Sequence, residues 1–202
     1  MRCDCIANLG AMPRAVDHEQ RRFEIVAGLW QIVAEQGIEG VSLRTVAARA
    51  GVSMGRVQHY FGTKDALVVA GIDLLVKRAV IEYEATADRP PHDRLLHILL
   101  QQIPATDAGR TGVTVWYAYV AKAMTHPAVR QILAEATRVG VEECTRHIQE
   151  AEGREEAEAR ARAIELLALS DGLTLRVLIG DITAEEAEAS IRTYTSRRMT
   201  SG

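Results

Sequence analysis

Cysteine, aromatic residues and long apolar runs are all scarce in this chain of 202 residues, and each shortage closes off a class of answer. Cys3, Cys5 and Cys144 make an odd count of three without a secretory pattern, which argues against a disulfide framework and for a reducing compartment. Cys3 and Cys5 form a bare Cys-x-Cys with no matching ligand pair, so neither a metal nor another cofactor is expected. No run approaches the roughly 18 apolar residues of a membrane span, and no basic-then-apolar leader opens the chain. A cytoplasmic protein without a membrane partner is expected. Nucleophile elbows, zinc-protease motifs, P-loops and Gly-x-Gly-x-x-Gly are missing too, so no enzyme is expected.

Positive charge is also in short supply, since the net charge is -3, and at first sight this argues against nucleic acid as a partner. The average hides a segregation. Between Gly40 and Lys64 stand Arg44, Arg49, Arg56 and Lys64 with no acid, whereas the remainder of the chain is acidic. A locally basic segment on an acidic body suits a specific binder with limited non-specific affinity.

What is abundant is helix-forming Ala, Leu, Glu and Arg, and no segment alternates as a strand does. The reading is all-α, with about nine helices. Residues 1–19 form a tail, within which Met12 offers a second start for translation. Phe23, Val26, Ala27, Trp30 and Val33 recur at helical spacing over 21–36 and stop at Gly37. Short helices follow from Ser42 and from Ser53, and a long one runs over 64–87 until Pro90 and Pro91. Further helices are expected over 92–103, 108–125, 127–151, 155–179 and 184–198. In the fourth of these, Glu156 with Arg160 and Glu158 with Arg162 can support a solvated face. Domain limits of 20–80 and 81–202 follow.

The segment 42–61 has the layout of a helix-turn-helix, two helices about a Gly-Val-Ser turn. Val46, Ala47, Val52 and Val57 are apolar where the helices meet, which turns the polar side chains of the second helix outward. Ser53 can satisfy the first backbone donors of that helix, and Gly55 keeps its start slim. Arg56 carries a fork that fits guanine O6 and N7, Gln58 can pair with adenine, and His59, Tyr60 and Lys64 can hold phosphates. Tyr60 can equally be half-packed with its hydroxyl outward. Double-stranded DNA is therefore the expected partner, with Ser42, Arg44, Thr45 and Met54 completing the contact set.

The stretch "VSLRTVAARAGVSMGRVQHYFGTKDAL", residues 41–67, resembles the TetR family of bacterial transcriptional regulators. Ala-Gly-Val-Ser, Gly55, the Tyr60-Phe61 pair and Lys64 before an apolar helix carry the likeness, and "VQHYFGTKDAL" looks most like its BetI-like branch. Gln58 and Met54 depart from the pattern, since many members have an aromatic and a Lys or Pro there. The resemblance implies a homodimeric repressor on a palindromic operator, released or retained by a small-molecule effector; an activator or dual regulator is the alternative.

For the effector, Leu96, Leu99, Leu100 and Ile103 line one helix, and Trp116, Tyr117, Tyr119, Val120 and Met124 crowd the next. The aromatics read also as ordinary core, and His97 and His147 as polar anchors, as surface residues or as satisfied core. The helix 155–179 is apolar almost all round, which suits either a central core helix or one shared with a second subunit. Leu166, Leu169, Leu173, Val177, Ile191 and Tyr194 are the expected dimer residues.

Overall fold

A computed structural model describes residues 12–199, with side-chain surroundings for 18–196. Among these residues there are nine α-helices and no strand. They are α1 (Met12–Gln36), α2 (Leu43–Arg49), α3 (Met54–Phe61), α4 (Lys64–Glu84), α5 (Pro91–Leu100), α6 (Asp107–Ala123), α7 (Pro127–Glu152), α8 (Glu156–Leu178) and α9 (Ala184–Met199). A 3-10 turn, Ile38–Gly40, links α1 to α2.

Local chemistry explains most of the ends. Ser42 and Thr45 form a reciprocal capping box, and Ser53, Thr63 and Thr106 each accept a backbone N–H three residues on. Three boundaries differ from the sequence reading by three residues or more. Helix α1 begins at Met12, inside the stretch set aside as a tail, because Pro13 suits a first helical turn and nothing up to Gln36 breaks the helix. Helix α4 stops at Glu84 rather than 87, where Thr86 N–H and Ala87 N–H tighten onto Tyr83 and Glu84 carbonyls. Helix α5 stops at Leu100 rather than 103, where Ile103 N–H likewise turns back on Leu100 O. Cys3 and Cys5 lie outside the described residues; Cys144 is buried and free, its thiol pushed up to about 12 by burial and by Glu143.

Two apolar cores form, and their border does not fall at residue 80. The first joins α1–α4 to Val115 and Tyr119 of α6 and to Val129 and Leu133 of α7. The second joins α5, the latter half of α7, α8 and α9. Helix α4 enters the first core through a close approach: Tyr119 Oη donates to Val68 O at 3.0 Å and Trp30 Nε1 donates to Gly71 O at 3.1 Å. Only glycine fits at 71, since an added Cβ would overlap Tyr119 Oη and lie 2.6 Å from Leu29 Cδ2.

At the other end of α4, Tyr83 binds the second body. Its hydroxyl donates to the Glu143 carboxylate, sits 2.6 Å from His147 Nε2 and accepts from Arg146 at 3.2 Å, while the Arg94 guanidinium lies 4.5 Å above its ring. Arg162 is buried against Glu152 at 3.1 Å and reaches Thr195 O, clasping α7, α8 and α9. The solvated Glu158–Arg162 pair of the sequence reading is therefore replaced: Arg162 turns inward and Glu158 faces Arg154 at 3.7 Å.

Gly71→Ala is expected to destabilise the fold by about 1–3 kcal/mol through overpacking, read as a lower urea midpoint. Burial, aided by Arg146 and Arg94, holds His147 below the ordinary imidazole value of 6.5, and burial with Arg89 does the same for His97. The unfolded chain thus takes up these protons first. Stability is complete above pH 6.5 and declines as pH falls through the lower folded values. His147→Gln should flatten that decline in unfolding curves taken between neutral and mildly acid pH.

Candidate nucleic-acid interface

Val46, Ala47, Val57 and Phe61 are all buried between α2 and α3, at 0, 4, 0 and 7% exposure. Val57 and Phe61 stand one turn apart, so burying both fixes the roll of α3 about its axis. The turn between the helices closes through Val52 N–H to Ala47 O at 3.0 Å, with Gly51 at φ 65°, a left-handed conformation that favours glycine.

The packing leaves the sequence-predicted residues at least partly accessible. Arg44, Thr45, Ser53, Met54, Gly55, Arg56, Gln58, His59 and Lys64 are exposed, and Ser42 and Tyr60 are half-buried. Ser42 and Thr45 are engaged with each other: Thr45 N–H donates to Ser42 Oγ at 3.0 Å, and Ser42 N–H donates to Thr45 Oγ1 at 2.9 Å. The Arg56 backbone N–H donates to Ser53 Oγ at 3.2 Å, and the Arg56 side chain is exposed. A Cβ at Gly55 would meet nothing, so the protein's own packing does not require glycine there.

Arg44, Arg56 and Lys64 form no ion pair among the described residues. Arg49 differs. Its two terminal nitrogens each donate to Glu35 of α1 at 2.6 Å, so an acid distant in sequence neutralises one of the four cations of the basic segment. The sequence reading also passes over His18 of α1, whose ring centroid lies 4.7 Å from that of Tyr60, and Arg22, 4.8 Å from the Phe61 ring. Pro13, a helix-starting residue with no further proline or glycine before Gly28, is the signal that α1 extends far enough to reach them.

The remaining candidates are divided rather than gathered. Leu99 and Ile103 are buried in the second core, with Leu96 and Leu100 packed against it. Tyr119 is wholly buried in the first core, Trp116 and Val120 flank that core, and Met124 is 77% exposed. Tyr117 donates its hydroxyl to Asp171 O at 3.0 Å. The nine proposed lining residues thus do not share one wall, and an open depression lined by Ile32, Gln36, Thr45, Ala48 and Arg49 lies apart from all of them.

The expected dimer residues also need correction. Leu166, Val177 and Ile191 are 1, 3 and 1% exposed inside the second core, and Leu173 and Tyr194 pack against it, with Leu169 half-buried. Leu166, Val177 and Ile191, closed off by their own subunit, cannot meet another, whereas Leu169, Leu173 and Tyr194 keep part of their surface. The outward side of α8 carries Ile164, Ala168, Gly172, Leu175 and Ile179 instead, spaced by four, four, three and four residues.

Comparison with known proteins places these features. Residues 25–70 match the tetR family of bacterial regulatory proteins, and residues 91–200 match the BetI-type transcriptional repressor C-terminal family. The chain is 30% identical over 174 residues to the HTH-type transcriptional regulator PksA of Bacillus subtilis, covering 85% of each chain. A TetR-family regulator from Rhodococcus sp. superposes with a TM-score of 0.80 at 26% identity, over 90% of this chain and 100% of that one. A transcriptional regulator from Saccharomonospora viridis, solved in complex with choline, shares the fold with a TM-score of 0.80 at 20% identity, over 88% of this chain and 96% of that one. Among the described residues no helix is long and apolar enough to cross a membrane, and no cluster of His, Cys, Asp and Glu could hold a metal ion.

Proposed function

The chain belongs to the TetR family of bacterial transcriptional regulators and is of repressor type, and on that premise we propose that it represses by binding a palindromic operator as a homodimer, with a small-molecule effector altering its grip. We take residues 20–80 as the reading head and 81–202 as the effector and dimerisation half. The observation that carries this reading is the roll of α3: buried Val57 and Phe61 leave Arg56, Gln58 and His59 exposed together beside Lys64.

Arg56 is the base-reading residue, because its guanidinium is exposed and without an ion pair, in the first turn of α3. Gly55 beside it lets the helix start approach the duplex. Lys64, His59, Tyr60, Arg44, Ser42, Thr45, Ser53 and Met54 line the flanking backbone, and Gln58 faces the groove. Two copies are joined through the outward side of α8, where Ile164, Leu175 and Ile179 are 49, 45 and 74% exposed. Exposed apolar residues in a continuous row mark an interaction surface, and a two-fold axis across one helix pairs the row with itself. The reading heads then stand about 34–36 Å apart, one helical repeat of DNA. The effector acts between the two cores, which α4 connects over a length of about 30 Å. It shifts the equilibrium only by its preference for one arrangement over the other. The choline complex of the Saccharomonospora viridis protein supports a small-molecule effector.

Arg56→Ala is expected to cost about 1–3 kcal/mol at the operator and to relax base preference, measured by binding to selected and randomised sites. Lys64→Ala should weaken all sequences alike and reduce the salt slope by about one counterion, read from affinities between low and moderate salt. Leu175→Glu with Ile179→Glu should leave helicity intact and shift sedimentation from dimer to monomer at micromolar concentration.

A further inference from the structure

We propose that His126 is a positioning residue that sets the stance of the reading head, through its bond to Asp65, and thereby the operator spacing that the protein accepts. The inference rests on the homodimeric reading given above. It starts from the corner between α6 and α7, residues 124–126, where His126 precedes Pro127 and caps α7.

Both ring nitrogens of His126 are committed. Nδ1 accepts Val129 N–H at 3.3 Å, closing the first turn of α7, and Nε2 lies 2.6 Å from Asp65 Oδ1. Since Nδ1 serves as an acceptor, the proton resides on Nε2 and is donated to the carboxylate. The ring is only 14% exposed and cannot swing to another partner without releasing the cap.

Asp65 is the second residue of α4, beside Lys64 and three residues past Gly62, which ends α3 with φ 71°. The bond therefore grips the chain where α4 leaves the recognition helix. Two neighbours on the same side of the corner hold adjacent ground: Lys122 Nζ stands 4.0 Å from Glu39 in the turn before α2, and Tyr119 Oη donates to Val68 O, one turn along α4. Tyr119 is buried and sustains the core, whereas Asp65 is largely exposed, so its bond adds little stability. Its effect is geometric. The start of α4 adjoins the end of α3, so a small rotation there about the Tyr119 contact becomes a change in the distance between twin copies of α3.

The test uses the full-length protein and a set of operators with fixed half-sites and a spacer altered by one or two base pairs. Asp65→Ala removes the acceptor; His126→Asn keeps a side-chain oxygen for the α7 cap but falls short of Asp65. Wild type should show a sharp spacing optimum. Each variant should flatten the preference for that optimum over its neighbours by about three- to tenfold, and the double variant no further than either single one. Asp65→Asn, which keeps an acceptor for Nε2–H, should restore the wild-type profile. A destabilised variant would lower binding to every spacer alike and so leave the profile unflattened. An unchanged profile, additive effects in the double variant, or failure of Asp65→Asn to restore the optimum overturns the proposal. Wild-type protein that binds a lone half-site as tightly as the palindrome overturns the dimeric reading itself, and this proposal with it.

Discussion

The burial of Val57 and Phe61 on one side of an eight-residue helix is the constraint on which the rest of the molecule turns. A short helix has no independent stability in water, and its orientation is whatever its apolar side chains can bury against. With these two held by α1, α2 and α4, the opposite side of α3 is obliged to face solvent, and it carries an arginine, an amide, an imidazole and a glycine. The polar surface is thus a consequence of the apolar one. Capping does the rest locally, since Ser53 satisfies the start of α3 and left-handed Gly51 and Gly62 bound it on either side.

Helix α4 makes this surface part of a larger body. Its first half belongs to the same core as the reading head, where Trp30 and Tyr119 bond directly to its carbonyls and Gly71 admits them. Its last turn, at Tyr83, is bonded to α7 and stacked under Arg94 of α5. A single rigid element therefore touches both cores. The first core runs across the division at residue 80 because α6 and α7 supply part of it. The C-terminal half is thus joined to the reading head both through α4 and directly through α6 and α7.

Helix α8 shows how polarity can mislead when a helix is apolar nearly all round. Its buried side contains Ser170 and Thr174, which donate to Leu99 O at 2.6 Å and to Gln102 O at 3.3 Å, and Arg162 bound to Glu152. These bonds allow polar side chains to occupy the interior, where they compensate carbonyls at the end of α5. The roll is decided by them together with Leu166 and Val177. As a result Ile164, Leu175 and Ile179 are left outside. Counting apolar residues along α8 cannot reveal this, because leucines stand on every side.

The amino-acid sequence alone determined the all-helical class, the starts of α2, α3 and α4 at their Ser and Thr caps, and the composition of the face around Arg56, because caps and helical spacing act over three or four residues. Tertiary structure alone decided that Glu35 neutralises Arg49, that Tyr119 is core, that the lining candidates fall into two bodies, and which side of α8 is outward. Those outcomes depend on residues 14 to 72 positions apart meeting in space, and no local pattern encodes such a meeting. His126 and Asp65 are the clearest instance: each is an ordinary residue in its own segment, and only the packing of α6 and α7 on α4 makes them neighbours.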